Sequence, residues 1–405
     1  MVERTVVVVG GGIGGLAAAV ALRRVGWRVS VLERAAGFGE VGAGLSLWPN
    51  ALRALGALGL ADRVLAVGAV EASGGVRGRS GRWLSRTDNA EIARRHGLPL
   101  VVVRRADLIR VLVEALPPGC LRSGVEVDGV WSDGDAVVVG HRGGEVRAEL
   151  VVGADGVHSA VRRRWWPEAP AARYAGYTAW RMITGYTAWR MITEPVAGPP
   201  VEGAVIWGRG ERFGFTALPG GRLYCFGTAT VPAGGAGGSG GELAAVRRRF
   251  GGWPDPVPAL LAAVPEGGVV RHDVHVLPPL GTYVRGRVVL VGDAAHAMDP
   301  ALGQGAGQSL EDAVVLAACL GSAGGTGAAL ARYDRLRVPR AGAVVRRSER
   351  LGRVAGWSWP PAVALRDLAA RLTPAAVTLR AMGPVLGWTP PELAGSSPER
   401  TGTSG

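Results

Sequence analysis

The 405-residue chain contains no lysine: its 46 basic residues are all arginine, against 33 acidic ones, for a formal net charge of +13. Such a surplus raises the question of nucleic acid or acidic ligands. The arginines are scattered, however, in short clusters such as 162–164, 247–249 and 346–347, and no basic stripe interleaved with aromatics is present. Ala, Gly, Val, Pro and Arg are abundant together, as GC-rich coding produces, and no nucleic-acid partner is expected. Cysteine is scarce. Cys120, Cys225 and Cys319 are far apart and odd in number, so neither a disulfide framework nor a metal cluster is indicated. They read as small core residues in a reducing compartment. No stretch reads as a transmembrane helix. The apolar N-terminus lacks a basic n-region and is interrupted by five glycines, unlike a signal peptide. The expectation is a cytoplasmic protein without a membrane span or a metal site.

What is present begins at Thr5-Val6-Val7-Val8-Val9, a short strand buried on both faces. Gly10-x-Gly12-x-x-Gly15 follows, then Leu16 to Leu22, a run of good helix formers. Strand, glycine turn and helix make a dinucleotide fingerprint. Gly10 allows the tight turn, Gly12 lets a pyrophosphate approach the backbone, and Gly15 lets the helix pack close. The helix N-terminus offers N–H groups and partial positive charge to phosphate. A second strand, Trp27 to Leu32, ends at Glu33, 18 residues after Gly15 and placed to accept hydrogen bonds from a ribose. The fingerprint alone does not separate NAD from FAD.

Further along, residues 37–47 read as a glycine-rich loop, 49–60 as a helix and 67–91 as a β-hairpin. A strand at 101–105 leads into a helix at 106–116 that Pro117-Pro118-Gly119 stops. Strands at 124–130, 136–140 and 145–152 form a β-meander. The last runs into Gly153-Ala154-Asp155-Gly156, where Asp155 either reaches a ligand or caps the next helix. The pattern recurs at 287–293, a buried strand ending in Gly292-Asp293. Ala294-Ala295-His296, Pro300 and Gly303-Gln304-Gly305-Ala306-Gly307 follow, and then a helix from Ser309 to about Leu320 with Glu311 and Asp312 in its first turn. Helices are expected at 328–338, 344–354 and 363–372, with Trp357-Ser358-Trp359-Pro360 as packing and 394–405 as a disordered tail.

Taken in order, the Gly10–Gly15 fingerprint with Glu33-Arg34, the Gly-Ala-Asp155-Gly156-x-x-Ser159 segment, and Gly292-Asp293-Ala-Ala-His296 with Pro300 and Gly303-Gln304-Gly305 resemble the class A FAD-dependent monooxygenases. The fold is similar to that of para-hydroxybenzoate hydroxylase, within its salicylate-hydroxylase-like branch. Gly42-Ala-Gly44, Trp48-Pro-Asn50 and Arg105-Ala-Asp-Leu108 agree, and the resemblance covers about residues 3 to 390. It implies an α/β fold: a Rossmann-like FAD-binding domain with a β-meander, an interleaved antiparallel-sheet substrate domain and C-terminal helices. The FAD-binding parts would be 1–66, 97–175 and 281–342. The substrate domain would be the 67–96 hairpin and 176–280, with C-terminal helices at 343–393. The resemblance gives Gly10, Gly12, Ile13, Gly14 and Gly15 to the FAD pyrophosphate, and Glu33 and Arg34 to its adenosine end. Gly44 would belong to the same cofactor site. Arg105 and Asp155 would lie along the pyrophosphate and the nicotinamide approach, and Asp293 at the ribityl chain. Pro300, Gly303, Gly305 and Ala306 would lie along the flavin. Gly307 departs from the Asn or Cys that relatives often carry there.

The region 176–280 reads as mostly strands, with good alternation at 206–215 and 223–227 and a helix at 242–250. It opens with a tandem repeat: Gly176 to Thr184 and Gly185 to Thr193 are identical. Nine is odd, so sliding from one copy to the other flips every side chain. One copy is expected to pair in the sheet and the other to be extruded. Arg181 or Arg190 is the candidate catalytic residue facing substrate and flavin, because the family strand carries an arginine there. The implied reaction is hydroxylation of an aromatic or other electron-rich small molecule through a C4a-hydroperoxyflavin, consuming NADH or NADPH and O₂. Nicotinamide would visit transiently, since no second complete fingerprint appears. The alternatives are a flavin-dependent epoxidase or reductase of an isoprenoid, and a flavin-binding protein inactivated by the duplication. The protein is expected as a monomer or homodimer.

Overall fold

The computed structural model describes residues 4–39, 43–185, 202–235, 238 and 240–393. The valine run forms the strand Thr5–Val9, with Val6 to Val9 buried. It lies inside a six-stranded sheet ordered Val284–Arg285, Val288–Leu290, Leu150–Gly153, Thr5–Val9, Arg28–Glu33, Leu121–Ser123. Its two neighbours run parallel to it. A buried central strand of this kind needs apolar side chains on both faces, which is why it reads as a continuous run. The alanine-rich helix Ile13–Arg24 packs against Gly305–Gly321. The small side chains of both let the backbones approach.

The meander is present as Val127–Asp133, Ala136–His141 and Gly144–Ala148. The strand expected at 145–152 is two strands: the chain leaves the meander at Ala148, and Leu150–Gly153 joins the parallel sheet. All four residues from 150 to 153 are buried, and they find two-sided cover only in the larger sheet. The loop expected at 37–47 contains a strand, Gly44–Leu47, paired antiparallel with Val101–Arg104. The helices expected at 328–338 and 344–354 are one helix, Gly325–Ala355, that passes through Pro339. An internal proline removes one backbone donor. Here Arg337 and Arg340, one on each side of it, are both tied to Glu311 and hold the turn in place.

A seven-stranded sheet is ordered Val269–Val276, Arg173–Gly185, Arg222–Ala229, Glu211–Leu218, Gly203–Trp207, Ser73–Gly78, Trp83–Asp88. The hairpin 73–88 therefore joins strands from the second half of the chain, through parallel pairing of Ser73–Gly78 with Gly203–Trp207. After it comes a helix absent from the expectations, Asn89–His96, capped by Asp88, whose Oδ1 accepts from the Ala90 N–H at 2.8 Å. The first copy of the repeat, 176–184, lies in Arg173–Gly185 and pairs on both sides. The second copy beyond Gly185, Arg190 with it, lies outside the described residues, as does 394–405.

One face of this sheet is apolar. Trp180, Met182, Phe213, Phe215, Leu223 and Cys225 pack against the helices Gly241–Phe250 and Val257–Ala262. Strand alternation sends Arg181, Arg212, Thr216, Tyr224 and Phe226 to the other face. Two C-terminal helices, Pro360–Leu372 and Ala375–Leu386, complete the fold. The second lies within the expected helical C-terminus, where no separate helix was delimited. No described helix is long and apolar enough to cross a membrane.

Candidate cofactor and substrate site

The turn after Thr5–Val9 is built by exclusion of side chains. Gly10 has φ +108°, and a Cβ there would lie 2.4 Å from the Ala154 carbonyl oxygen. A Cβ on Gly15 would lie 2.0 Å from the Gly10 oxygen. Gly12 is different: a Cβ there would meet nothing within 4 Å. Gly10 and Gly15 are thus demanded by the fold, whereas Gly12 borders open space at a helix N-terminus. That is the cradle a phosphate needs. Ile13 is buried and starts the helix.

Three segments converge beside this turn. A Cβ on Gly14 would lie 3.4 Å from Ser309 Cβ and 3.8 Å from Gly292 Cα, so both glycine turns and the start of Gly305–Gly321 share one locus. Glu33 closes one side. Its Oε2 accepts from the Gly11 N–H at 2.6 Å and its Oε1 from the Ala35 N–H at 2.8 Å. Each oxygen keeps a lone pair for a further donor. Arg34 is exposed next to it. Arg105 is half-buried, and its N–H donates to the Ala43 oxygen at 2.9 Å, next to Gly44. Asp155 is engaged locally. It accepts from the backbone N–H groups of Ala160 and Val161 at 2.7 and 3.1 Å and from the Ser159 hydroxyl. The capping reading of this residue is therefore realised, and a ligand would have to share its oxygens.

On the far side, Asp293 and Pro300 are exposed, and Gly305 and Ala306 are half-buried in the first turn of Gly305–Gly321. Gly303 has φ +61°, and a Cβ there would lie 3.3 Å from Trp48 Nε1. At Gly307 a Cβ would lie 3.1 Å from Gln304 Oε1 and 3.2 Å from Asn50 Nδ2. The glycine that departs from the family pattern makes room for the hydrogen bond between those two side chains, 2.9 Å long.

Beneath this helix start lies a buried charge network that the sequence reading did not assemble. Arg337 donates to Glu311 and Asp312, each at 2.6 Å, and to the Gln308 carbonyl and side-chain oxygens at 3.1 and 3.0 Å. Arg340 reaches Glu311 through Nε and Nη2. His296 Nε2 and the Gly292 N–H both meet Asp312 Oδ2, at 2.7 and 2.8 Å. Burial alone would raise the Asp312 carboxyl, but His296 and Arg337 outweigh it and hold it down to about 2. The carboxylate thus ties the second Gly-Asp turn to the helix start. Four buried side-chain atoms around it lack a hydrogen-bond partner: Trp48 Nε1, Asn50 Oδ1, His296 Nδ1 and Gln304 Nε2. Unmatched buried polar atoms of this kind are costly unless a ligand meets them.

The polar face of the seven-stranded sheet supplies a second set of groups. Tyr224 stands flat against Gly44, where a Cβ would come within 2.5 Å of its ring. Burial pushes its hydroxyl up to about 12, with Arg181 pulling the other way. Arg212 stacks over the Tyr177 ring at 4.8 Å. The Tyr177 hydroxyl is buried without a hydrogen-bond partner and lies close to Asp299 and Arg212. Burial raises the Asp299 carboxyl, opposed by Arg212. Arg181 was expected on this face. Arg212, Tyr177 and Asp299 were not singled out, although Arg212 alternates with Phe213 and Phe215 and so had a visible signal.

Comparison with known proteins agrees with this geometry. The FAD binding domain family matches residues 3–184 and 280–348, the stretches that carry both glycine turns. An aurachin C monooxygenase/isomerase of Stigmatella aurantiaca is 38% identical over 354 residues, covering 87% of this chain and 90% of that protein. The chain is a class A FAD-dependent monooxygenase. A second relative of this monooxygenase is the 3-amino-4-hydroxybenzoate 2-monooxygenase of Streptomyces cremeus, 37% identical over 366 residues, with 87% and 88% of the two chains covered. In structure it superimposes on Klebsiella pneumoniae HpxO complexed with FAD and uric acid. The TM-score is 0.86 at 29% identity, over 96% of this chain and 97% of that one.

Proposed function

We propose that this monooxygenase hydroxylates an electron-rich aromatic ring carrying an acidic group, held between the polar face of the seven-stranded sheet and the flavin. The observation that carries this reading is that face. Arg181 and Arg212 bring cationic groups to a wall that also holds the rings of Tyr177, Tyr224 and Phe226. An arginine recognises a carboxylate or phenolate through paired N–H donors. The relatives' names include a hydroxybenzoate, and HpxO was crystallised with uric acid.

FAD would be held by Gly10, Gly12, Ile13, Gly14 and Gly15 at its pyrophosphate, by Glu33 and Arg34 at its adenosine end and by Asp293 at its ribityl chain. Gly44, Pro300, Gly303, Gly305 and Ala306 would border its ring, and Arg105 and Asp155 the approach of NADH or NADPH. When bound, FAD supplies the transfer of electrons from NAD(P)H and the activation of O₂. The chain's own part is electrostatic and steric. The first turn of Gly305–Gly321 favours negative charge at the flavin edge, and the aromatic sheet face would exclude water from the bound ring. We place the 67–96 hairpin and 176–280 together as the substrate domain, and the protein in the cytoplasm. A monomer suffices for this reading, because every residue invoked belongs to one chain.

The test is NADH and NADPH consumption by the FAD-loaded protein against phenols and aromatic acids, with mass spectrometry of the products. A substrate-dependent rate with a gain of one oxygen atom is expected. Reduction of bound flavin without any oxygenated product across the panel would overturn the substrate assignment. Arg181→Gln should raise KM for the acids by about tenfold, the loss of one charge-assisted contact, and leave the flavin spectrum unchanged.

A further inference from the structure

The helix Pro360–Leu372 is amphipathic in the reverse sense for the surface of a globular protein. Its leucines point outward: Leu365, Leu368 and Leu372 are 63%, 53% and 72% exposed, and their i, i+3, i+7 spacing puts them on one stripe. Its arginine points inward. Arg366 is buried, donates to the carbonyl oxygens of Ala355 and Gly208 at 3.0 and 3.1 Å, and lies over the Trp207 ring. Trp359, just before the helix, and Val377, in the next one, are also exposed, at 68% and 53%. Trp359 was expected to pack and does not. Isolated exposed leucines need no explanation, but a contiguous stripe with an exposed tryptophan marks a contact surface.

The charges of this C-terminal stretch, Arg371 beside the stripe among them, indicate what covers it. Between residues 346 and 380 the exposed charged side chains are Arg346, Arg350, Arg353, Arg371 and Arg380. The acids there, Glu349 and Asp367, are half-buried and paired, Glu349 with Arg173 and Arg353 and Asp367 with Arg366. A second copy docked on the same face would bring arginine against arginine with no exposed acid to answer it. Residues 394–405, Ala-Gly-Ser-Ser-Pro-Glu-Arg-Thr-Gly-Thr-Ser-Gly, contain no large apolar side chain with which to cover it.

We propose that this face rests on an anionic lipid surface. Leu365, Leu368, Leu372 and Trp359 would enter the headgroup boundary and the arginines would pair with lipid phosphates, in the manner of an interfacial amphipathic helix. The contact is peripheral and needs no membrane-crossing segment.

The test is flotation of the full-length protein with vesicles of phosphatidylcholine alone and of phosphatidylcholine with phosphatidylglycerol at roughly 2:1, a composition that sets a negative surface potential. Binding to the anionic vesicles is expected, with weak binding to the neutral ones. The double variant Leu365→Ser, Leu368→Ser, checked for an unchanged thermal midpoint, should lower the partition coefficient by about tenfold or more. Charge reversal by Arg353→Glu with Arg371→Glu should do the same with the leucines intact. Three outcomes would overturn the proposal: no binding to anionic vesicles, binding that neither double variant weakens, or a dimer in light scattering that the leucine variant dissociates.

Discussion

Replacing Arg337 by methionine keeps the apolar stem of the side chain and removes its guanidinium and charge. In the folded protein it deletes four hydrogen bonds, two of them to the buried carboxylates of Glu311 and Asp312. Breaking a buried ion pair from one side costs roughly 3–5 kcal/mol. Arg340 still serves Glu311 and His296 still serves Asp312, so the lower end applies, about 3 kcal/mol or about a hundredfold in the folded-to-unfolded ratio. Urea denaturation of the two proteins side by side measures it. The pH dependence adds an independent check. In the wild type the Asp312 carboxyl lies near 2, below its unfolded value of about 3.9, so its contribution is present above that value and is lost as pH falls through 2. In the variant burial gains weight, the carboxyl rises, and its ionised form costs stability at neutral pH. The deficit should therefore narrow as the pH is lowered from 7 towards 4. A deficit under about 1 kcal/mol, the size of an ordinary surface change, or one that widens towards pH 4, would refute the account of the network.

Gly12→Ala should leave the folding midpoint of the apoprotein unchanged, because its Cβ meets open space, yet weaken FAD binding by about tenfold in a fluorescence titration, as expected when a backbone approach is blocked. Gly10→Ala, by contrast, should destabilise the apoprotein itself by about 2 kcal/mol in urea, through the clash with Ala154 and the left-handed φ. Asp299→Asn should raise the thermal midpoint at pH 8 but not at pH 4. The buried carboxyl is raised above its unfolded value, so its ionisation costs stability only as pH climbs beyond that value; equal shifts at both pH values would contradict this. Deleting 185–193 should shift the thermal midpoint by no more than roughly 2 °C, since the ladder partners of 176–184 are all retained.

The elements closest to the nucleotide turn were legible because their burial is periodic and local. Val6 to Val9 and the alanines after Gly15 announce a strand and a helix whatever lies around them. The hairpin at 73–88 was visible, but its parallel partner Gly203–Trp207 was not, since pairing over that separation leaves no local trace. Glu149 hid the passage from one sheet to another inside a single apolar run. Pro339 read as a stop because the side chains that carry the helix past it, Arg337 and Arg340, look like surface arginines in a chain that has 46 basic residues. The strand Val269–Val276 had a readable signal in the alternation of Val274 and Val276 with polar neighbours. Asn50 stood in a recognised motif, but its partners Gln304 and Glu311 are more than 250 positions away.

The helix Gly325–Ala355 spans 31 residues, roughly 46 Å at 1.5 Å per residue. Along its length it is fastened to one structure after another. Thr326 holds Glu149, Tyr333 donates to the Leu290 oxygen, Arg337 and Arg340 hold the start of Gly305–Gly321, Ser348 donates to the Asp299 oxygen, and Glu349 meets Arg173 of the seven-stranded sheet. Just past its end the Trp357 oxygen accepts from the Gly210 N–H. It is a tie-bar with the glycine turns bolted along one half and the seven-stranded sheet hooked to the other. For the sheet to swing away from the turns as a rigid leaf, the Arg173 and Gly210 fastenings would have to release together with the Arg366 bond to Gly208 and the packing of Tyr224 on Gly44.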